Sequence, residues 1–127
     1  MRLRLLHFLA PLLLLALPSC AQQDRVDATT FQTRMKEADA QLVDVRTPDE
    51  FAKGHIAGAV LNDWLEDGFL DRAKTLDKSK PVLLYCAAGG RSEEAVAAMK
   101  KDGFANVVDL AGGFNGWKRS NLPVAVK

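Results

Sequence analysis

One segment, Pro81 to Tyr85, constrains the fold most strongly because all of its residues are apolar or aromatic. A run of this length without polar alternation is typical of a strand covered on both faces, as in the middle of a parallel sheet. Other short and mainly apolar runs, at 41–45, 59–61 and 106–110, alternate with segments of helical spacing. This alternation predicts an α/β fold with a mainly parallel sheet and helices on both faces.

The helical segments are recognised by their spacing and their caps. Apolar residues at 31, 35 and 38 predict a first helix that begins after a threonine cap at position 29 or 30. Thr47, Pro48 and Glu50 have the pattern of a capping box, which predicts a short helix to about residue 53. We expect two further helices, one over 64–76 that breaks near Gly68 and one over 91–101.

Length and composition exclude several classes of protein. The 127 residues are enough for one hydrophobic core but not two, and a formal charge of +1 argues against a dedicated nucleic-acid partner. Two cysteines and two histidines are too few for a disulfide framework or a usual zinc site. Because no dinucleotide or phosphate-loop motif is present either, we expect no metal and no cofactor.

The first 19 residues are similar to a secretory signal peptide. Arg2 and Arg4 precede an almost wholly apolar stretch from Leu5 to Leu17, which is shorter than the about 20 residues that a spanning helix needs. Residues 20–28 lack hydrophobic patterning and predict a tether. We therefore expect a signal peptide over 1–19, a tether over 20–28 and the folded domain over 29–127.

The end of this segment, Leu17-Pro18-Ser19-Cys20, resembles the bacterial lipobox, in which the cysteine receives a diacylglycerol. We favour lipidation of Cys20, since a cysteine directly after such a stretch is otherwise hard to explain, although ordinary signal-peptidase cleavage also fits. Ala21 is not the aspartate that retains many such proteins at the inner membrane. The resemblance therefore implies an exported, periplasmic protein that contacts a membrane only through a lipid in the outer membrane.

Cys86 directly follows the central apolar run, and a helix opens a few residues later at Ser92. Ligands bind at the carboxyl ends of parallel strands, and the small residues and glycines between 87 and 91 allow a tight bowl lined with N–H groups. A thiol with a pKa of about 8.5 is about 3% ionised at pH 7, and one or two charge-assisted hydrogen bonds lower that pKa by about 2 units. We predict that Cys86 is a catalytic thiolate that needs no histidine base, rather than an inert buried cysteine.

Three ordered motifs resemble the signatures of the rhodanese domain. The first runs from Leu42 to Phe51 and continues over 54–59, the second from Tyr85 to Ser92, and the third from Gly112 to Trp117 and over 122–124. Together they span residues 42–124, which is most of the predicted domain. The resemblance implies a single rhodanese-like domain, in which the residues matching the first signature have scaffold roles: Asp44, Arg46, Glu50 and His55.

The same resemblance implies a sulfurtransferase. Cys86 would take the outer sulfur of a small anionic donor such as thiosulfate as a persulfide, and would then pass it to a thiol or to cyanide. Arg91 would bind the donor or brace the loop. The main-chain amides that would cradle the substrate sulfur belong to Ala87, Ala88, Gly89, Gly90, Arg91 and Ser92.

Two alternative functions stay open. The first is a non-catalytic rhodanese-like binding module, although such modules commonly lack the cysteine. The second is a phosphatase or arsenate reductase, whose related loops place five residues between cysteine and arginine. Here four residues separate Cys86 from Arg91, which favours a bowl sized for a sulfur atom.

Overall fold

The structure, a computed structural model, describes residues 23–126, so the predicted signal peptide and Cys20 lie outside it. The strands are β1 (Arg25–Val26), β2 (Gln41–Asp44), β3 (Val60–Leu61), β4 (Val82–Tyr85) and β5 (Val107–Leu110). The helices are α1 (Ala28–Arg34), α2 (Pro48–Ala52), α3 (Phe69–Ala73), α4 (Gly90–Lys101) and α5 (Gly113–Arg119). In this part of the chain no helix is long and apolar enough to span a membrane.

The five strands form one parallel sheet in the order β1-β5-β4-β2-β3. The predicted fold class is therefore confirmed. Strand β4 lies in the middle of the sheet and all four of its residues are buried, as the unbroken apolar run predicts. The Cys86 loop, which we define as residues 86–92, follows directly from this central strand.

A hydrophobic cluster covers each face of the sheet, because successive strand residues point to opposite sides. Val82 and Leu84 of β4 pack in a cluster with residues of α3 and α4. Leu83 and Tyr85 pack on the other face with residues of α1 and α5. Helices thus lie on both faces, and the buried sheet gives the Cys86 loop a fixed base.

Helix α2 begins as its sequence predicts, with a complete capping box. The Glu50 amide donates to Thr47 Oγ1 at 3.3 Å, and the Thr47 amide donates to Glu50 Oε1 at 3.4 Å. The cap of α1 differs from the predicted threonine. It is Asp27, whose carboxylate accepts a hydrogen bond from the Thr30 amide at 2.7 Å.

Strand β1 lies within the segment that the sequence predicts as a tether. It is held by main-chain hydrogen bonds to β5 and its neighbours: the Asp109 amide donates to the Asp24 carbonyl at 2.7 Å, and the Ala111 amide donates to the Val26 carbonyl at 2.8 Å. A two-residue strand has no hydrophobic periodicity of its own. Its partner, 84 residues away, is what defines it.

The helix predicted over 64–76 is shorter in the structure, where α3 spans Phe69–Ala73. Gly68, at its start, has a left-handed backbone with φ of 81°. The Arg72 guanidinium donates to the carbonyls of Asp63 and Asp67 at 2.9 and 2.6 Å. These side-chain contacts hold the preceding residues in a loop instead of a helical turn.

Candidate active site

The Cys86 loop lies at a topological switch point of the sheet. Strand β2 leads on to β3 at one edge, whereas β4 leads on to β5 on the other side. In open α/β sheets, ligands bind in the crevice that such a reversal leaves beyond the carboxyl ends of the strands. The segments that follow β2 and β4 therefore border the candidate site.

The sulfur atom of Cys86 is buried but hydrogen-bonded. The residue is 1% exposed. Its Sγ accepts a hydrogen bond from the Gly89 amide at 3.0 Å, and the Ser92 hydroxyl lies within donating distance at 3.3 Å. Burial raises the pKa of the Cys86 thiol, but the Ser92 hydroxyl and the amides of Ser92, Gly89 and Ala88 lower it more, so that the thiol pKa lies below its ordinary value. These donors favour the thiolate.

The remaining residues of the loop differ in their exposure. Ala88 and Gly90 are exposed, while Ala87 is half-buried. Gly89 is buried with φ of 116°, a left-handed backbone that favours glycine. Of the six residues predicted to bind substrate, Gly89 and Ser92 make hydrogen bonds to the sulfur in this structure, and their role toward a substrate stays a prediction.

Arg91 is paired with a carboxylate of α2. Its Nη1 and Nη2 donate to the two carboxylate oxygens of Glu50 at 2.8 and 3.0 Å. The pKa of Glu50 is lowered to about 2. The hydrogen bond from Arg91 is the largest cause, and burial acts in the opposite direction. The geometry fits the bracing role for Arg91, because both prongs of its guanidinium are engaged.

Helix α5 holds the beginning of the loop from behind. The Phe114 amide donates to the Cys86 carbonyl at 2.8 Å, and the Asn115 amide donates to the Ala87 carbonyl at 3.0 Å. A Cβ at Gly113 would lie 2.6 Å from these same carbonyl oxygens, so only glycine permits this approach. The third sequence motif therefore supports the second one directly.

Asp44 and Arg46 form a buried ion pair next to the loop. The Arg46 guanidinium donates to Asp44 Oδ2 at 2.7 Å and to the Gly54 carbonyl at 2.7 Å, and it lies 4.2 Å from the centroid of the Phe114 ring. His55 stacks on a phenylalanine ring and its Nδ1 contacts the Phe51 carbonyl at 3.0 Å. These contacts tie α2 and the following turn to α5, as expected of a scaffold.

Sequence reasoning missed a second arginine at the loop. Arg25 of β1 donates through Nη2 to the Gly89 carbonyl at 2.7 Å, and through Nε to Asp109 Oδ2 at 2.8 Å. Asp109 is 2% exposed. Burial raises the pKa of its carboxyl group by more than the Ser92 hydroxyl and Arg25 lower it. The sequence feature that could have indicated this contact is Asp109, a charged residue in an otherwise apolar strand, which needs a partner when buried.

The described residues contain no group of three or more histidine, cysteine, aspartate or glutamate side chains arranged to hold a metal ion. The polar groups around Cys86 are instead hydrogen-bond donors and ion pairs. Such an arrangement stabilises a negative charge on sulfur.

The fold and the site define an α/β domain with a buried, hydrogen-bonded thiol in a strand-to-helix loop. The model of the rhodanese-like domain matches residues 27–120, and the chain belongs to this family. A thiosulfate sulfurtransferase of Arabidopsis thaliana chloroplasts is 30% identical over 81% of this chain and 97% of that relative. A sulfurtransferase of Allochromatium vinosum is 33% identical over 80% of this chain and 94% of its own.

Solved structures agree with this assignment. A rhodanese-related protein from Thermoplasma volcanium is 28% identical and superposes with a TM-score of 0.72, over 81% of this chain and 98% of that one. A rhodanese-like domain protein from Staphylococcus aureus is 26% identical with a TM-score of 0.70, over 83% of this chain and 99% of that one. The two relatives named as sulfurtransferases and these two solved structures are thus each matched over more than nine-tenths of their length.

Proposed function

We propose that this protein is a sulfurtransferase in which Cys86 carries sulfur as a persulfide. The observation that carries the proposal is the hydrogen-bonded sulfur itself, held by the Gly89 amide at 3.0 Å and the Ser92 hydroxyl at 3.3 Å. A thiolate is the attacking species in such chemistry, and these donors raise its population. The relatives named thiosulfate sulfurtransferase support the same reaction class.

The proposed reaction has two steps, sulfur uptake by Cys86 and sulfur transfer to an acceptor. The Cys86 thiolate attacks the outer sulfur of a donor such as thiosulfate, a new S–S bond forms, and sulfite leaves with the electron pair of the broken bond. A thiolate or cyanide then attacks the outer sulfur of the Cys86 persulfide, and the Cys86 thiolate is regenerated. Amides of residues 87–92 receive the persulfide anion, while Arg91 braces the loop through Glu50.

The test is the mass of the purified chain before and after thiosulfate, with thiocyanate formation measured after cyanide is added. We expect wild-type protein to gain the mass of one sulfur atom on the peptide that contains Cys86. Cys86→Ser should neither gain sulfur nor form thiocyanate, while Cys20→Ser, which removes the other cysteine, should retain both. Equal thiocyanate formation by wild type and Cys86→Ser would overturn the proposal, and partner capture that survives Cys86→Ser without sulfur transfer would favour the binding module.

We also propose that the protein is exported and carries a lipid on Cys20, in the outer membrane facing the periplasm. The support is the apolar stretch from Leu5 to Leu17 and the lipobox-like residues that follow. In bacterial cells, the wild type should be found in the outer-membrane fraction and take up labelled fatty acid, and Cys20→Ser should do neither. A soluble periplasmic protein without Cys20 would indicate ordinary signal-peptidase cleavage, and a cytoplasmic protein beginning at Met1 would contradict export.

A further inference from the structure

Two arginines link the Cys86 loop to its surroundings: Arg91, which belongs to the loop, and Arg25, which lies outside the loop and outside all three sequence motifs. Arg91 is bound by Glu50 on the α2 side. Arg25 reaches the loop from the edge strand β1, where it is paired in register with Asp109 of β5. We define Arg25 and Asp109 as the β1–β5 clamp.

The clamp holds the same residue whose amide holds the sulfur. Arg25 Nη2 donates to the Gly89 carbonyl at 2.7 Å, and the Gly89 amide donates to Cys86 Sγ at 3.0 Å. A Cβ on Gly89 would lie 3.1 Å from Arg25 Nη2, so the guanidinium fits closely against a residue without a side chain. The Gly89 carbonyl and the Gly89 N–H belong to adjoining peptide planes, so a hydrogen bond that holds the first plane restricts the second, which carries one of the two donors to the sulfur.

Arg25 also affects the second donor, the Ser92 hydroxyl. This hydroxyl has one proton and two acceptors at the same distance, Cys86 Sγ and the Gly89 carbonyl, each at 3.3 Å, and it also lies near the Asp109 carboxylate, whose pKa it lowers. In the structure the Gly89 carbonyl already accepts from Arg25 at 2.7 Å and from the Glu93 amide at 3.1 Å. An acceptor that is occupied by a charged donor competes less well for the Ser92 proton, which is then left for the sulfur.

Asp109 orients the guanidinium from inside the sheet. Its Oδ2 accepts from Arg25 Nε at 2.8 Å and also from Nη2, while its buried Oδ1 has no hydrogen-bond partner among residues 23–126. A carboxylate that is 2% exposed beside a 42% exposed arginine side chain fixes the inner edge of the guanidinium. The same Nη2 that contacts Asp109 then reaches the loop.

We propose that Arg25, oriented by Asp109, is a positioning residue for sulfur transfer that directs both the Gly89 amide and the Ser92 hydroxyl to the Cys86 sulfur. The activity part of this inference rests on the proposed function. The reactivity of the thiol does not, because alkylation measures it without any sulfur donor. Failure of the clamp and failure of the sulfurtransferase assignment are therefore separable.

The test is the rate at which iodoacetamide alkylates Cys86 as a function of pH, followed on the Cys86 peptide by mass spectrometry, for the wild type, Arg25→Met and Arg25→Lys. Arg34→Met is the matched control, because Arg34 also joins two side chains, Glu37 and Asn106, away from the loop. Other charged groups near the loop, which are unchanged in all variants, are Asp109 of β5, Glu93 and Arg91 of α4, Glu50 of α2, and Asp63.

We expect Arg25→Met to move the midpoint of the alkylation profile upward by about 0.5 to 1 pH unit, which is about three- to tenfold less thiolate well below the midpoint. The midpoint for Arg25→Lys should lie between those of Arg25→Met and the wild type, since lysine keeps the positive charge but lacks the forked donors of the guanidinium group. Persulfide formation from thiosulfate at neutral pH should fall in the same order, and Arg34→Met should match the wild type in both measurements.

A wild-type midpoint in folded Arg25→Met would overturn the inference. If Arg25→Met does not fold, as circular dichroism would show, Arg25→Lys decides, and a midpoint equal to that of the wild type overturns it. If the midpoints shift as expected but the wild type transfers no sulfur, the clamp stands and the sulfurtransferase assignment fails.

Discussion

At the scale of the residue, Cys86 combines burial with hydrogen bonding to its sulfur. Burial alone disfavours a thiolate, and a 1% exposed cysteine in an apolar cluster would be inert. Each hydrogen bond to a charged group contributes about 1.5 to 3 kcal/mol, and one pKa unit corresponds to about 1.4 kcal/mol. Two donors on the sulfur are therefore enough to outweigh burial, which is the direction found for the pKa of this thiol.

Replacing Ser92 with alanine should raise the pKa of the Cys86 thiol. Ser92→Ala removes one hydroxyl from a fully buried site with little change in volume, so that the change is the loss of the hydroxyl's contacts with the sulfur and with the Gly89 carbonyl. We expect an upward shift of about 1 unit in the midpoint of Cys86 alkylation against pH. Ser79→Ala is the control, since its hydroxyl binds Asp77 in an exposed turn before β4. An unshifted midpoint in Ser92→Ala would mean that the Gly89 amide suffices.

At the scale of the element, α2 and α4 are joined by the Glu50–Arg91 pair. The contribution of this pair to stability depends on pH, because the pKa of Glu50 is lowered from 4.5 to about 2 in the folded protein. A carboxyl group whose pKa is lowered by folding stabilises the folded protein at pH values above its pKa in the unfolded chain. That stabilisation is lost as the pH falls from about 4.5 through about 2. Since the Glu50 side chain is 33% exposed, solvent screening reduces the effect to about 1–2 kcal/mol.

Glu50→Gln should therefore destabilise the protein by about 1–2 kcal/mol at pH 7, and by less than half of that at pH 3. The measurement is the free energy of unfolding in urea at the two pH values. Glu37→Gln breaks an exposed pair with Arg34 within one turn, and we expect it to cost under about 0.5 kcal/mol at either pH. A Glu50→Gln deficit that is as large at pH 3 as at pH 7 would assign the loss to packing instead of charge.

The same elements show how far the sequence predicts the structure. Strand β4 and the start of α2 follow from local chemistry, an unbroken apolar run and a capping box, and so does the position of Cys86 before a glycine-containing loop. The pairs Glu50–Arg91 and Arg25–Asp109 do not, because their members are 41 and 84 residues apart. Strand β1 was missed for the same reason.

At the scale of the molecule, the three arginines near the loop are all paired with carboxylates. Arg25 binds Asp109, Arg46 binds Asp44 and Arg91 binds Glu50. A cavity of about 250 Å³ borders the loop at Ala87, and its lining residues are Arg46, Glu50, Lys53, Gly54, Ala87, Phe114, Asn115, Lys118 and Val124. Its two lysines have no carboxylate partner among residues 23–126, so they supply the uncompensated positive charge at this rim.

Neutralising these two lysines should slow anionic reagents selectively. At about 0.1 M salt we expect Lys53→Gln/Lys118→Gln to reduce alkylation of Cys86 by iodoacetate about two- to fivefold, and to leave alkylation by neutral iodoacetamide unchanged. The double variant Lys36→Gln/Lys101→Gln changes the net charge equally. Its lysines lie beyond the carboxyl-terminal end of α1 and at that of α4, a helix that begins at the Cys86 loop. A 12-residue helix is about 18 Å long, which exceeds the Debye length of about 10 Å at 0.1 M salt.

The ratio of the two alkylation rates separates a local field from a general effect of charge, because both reagents react with the same thiolate. The formal charge of +1 on the whole chain is too small to attract an anion by itself. Added salt should therefore lower the ratio of the iodoacetate rate to the iodoacetamide rate in the wild type to the ratio found for Lys53→Gln/Lys118→Gln. If Lys36→Gln/Lys101→Gln lowers the ratio as much as Lys53→Gln/Lys118→Gln, the effect is one of general charge and the cavity lined by Lys53 and Lys118 does not guide the anion.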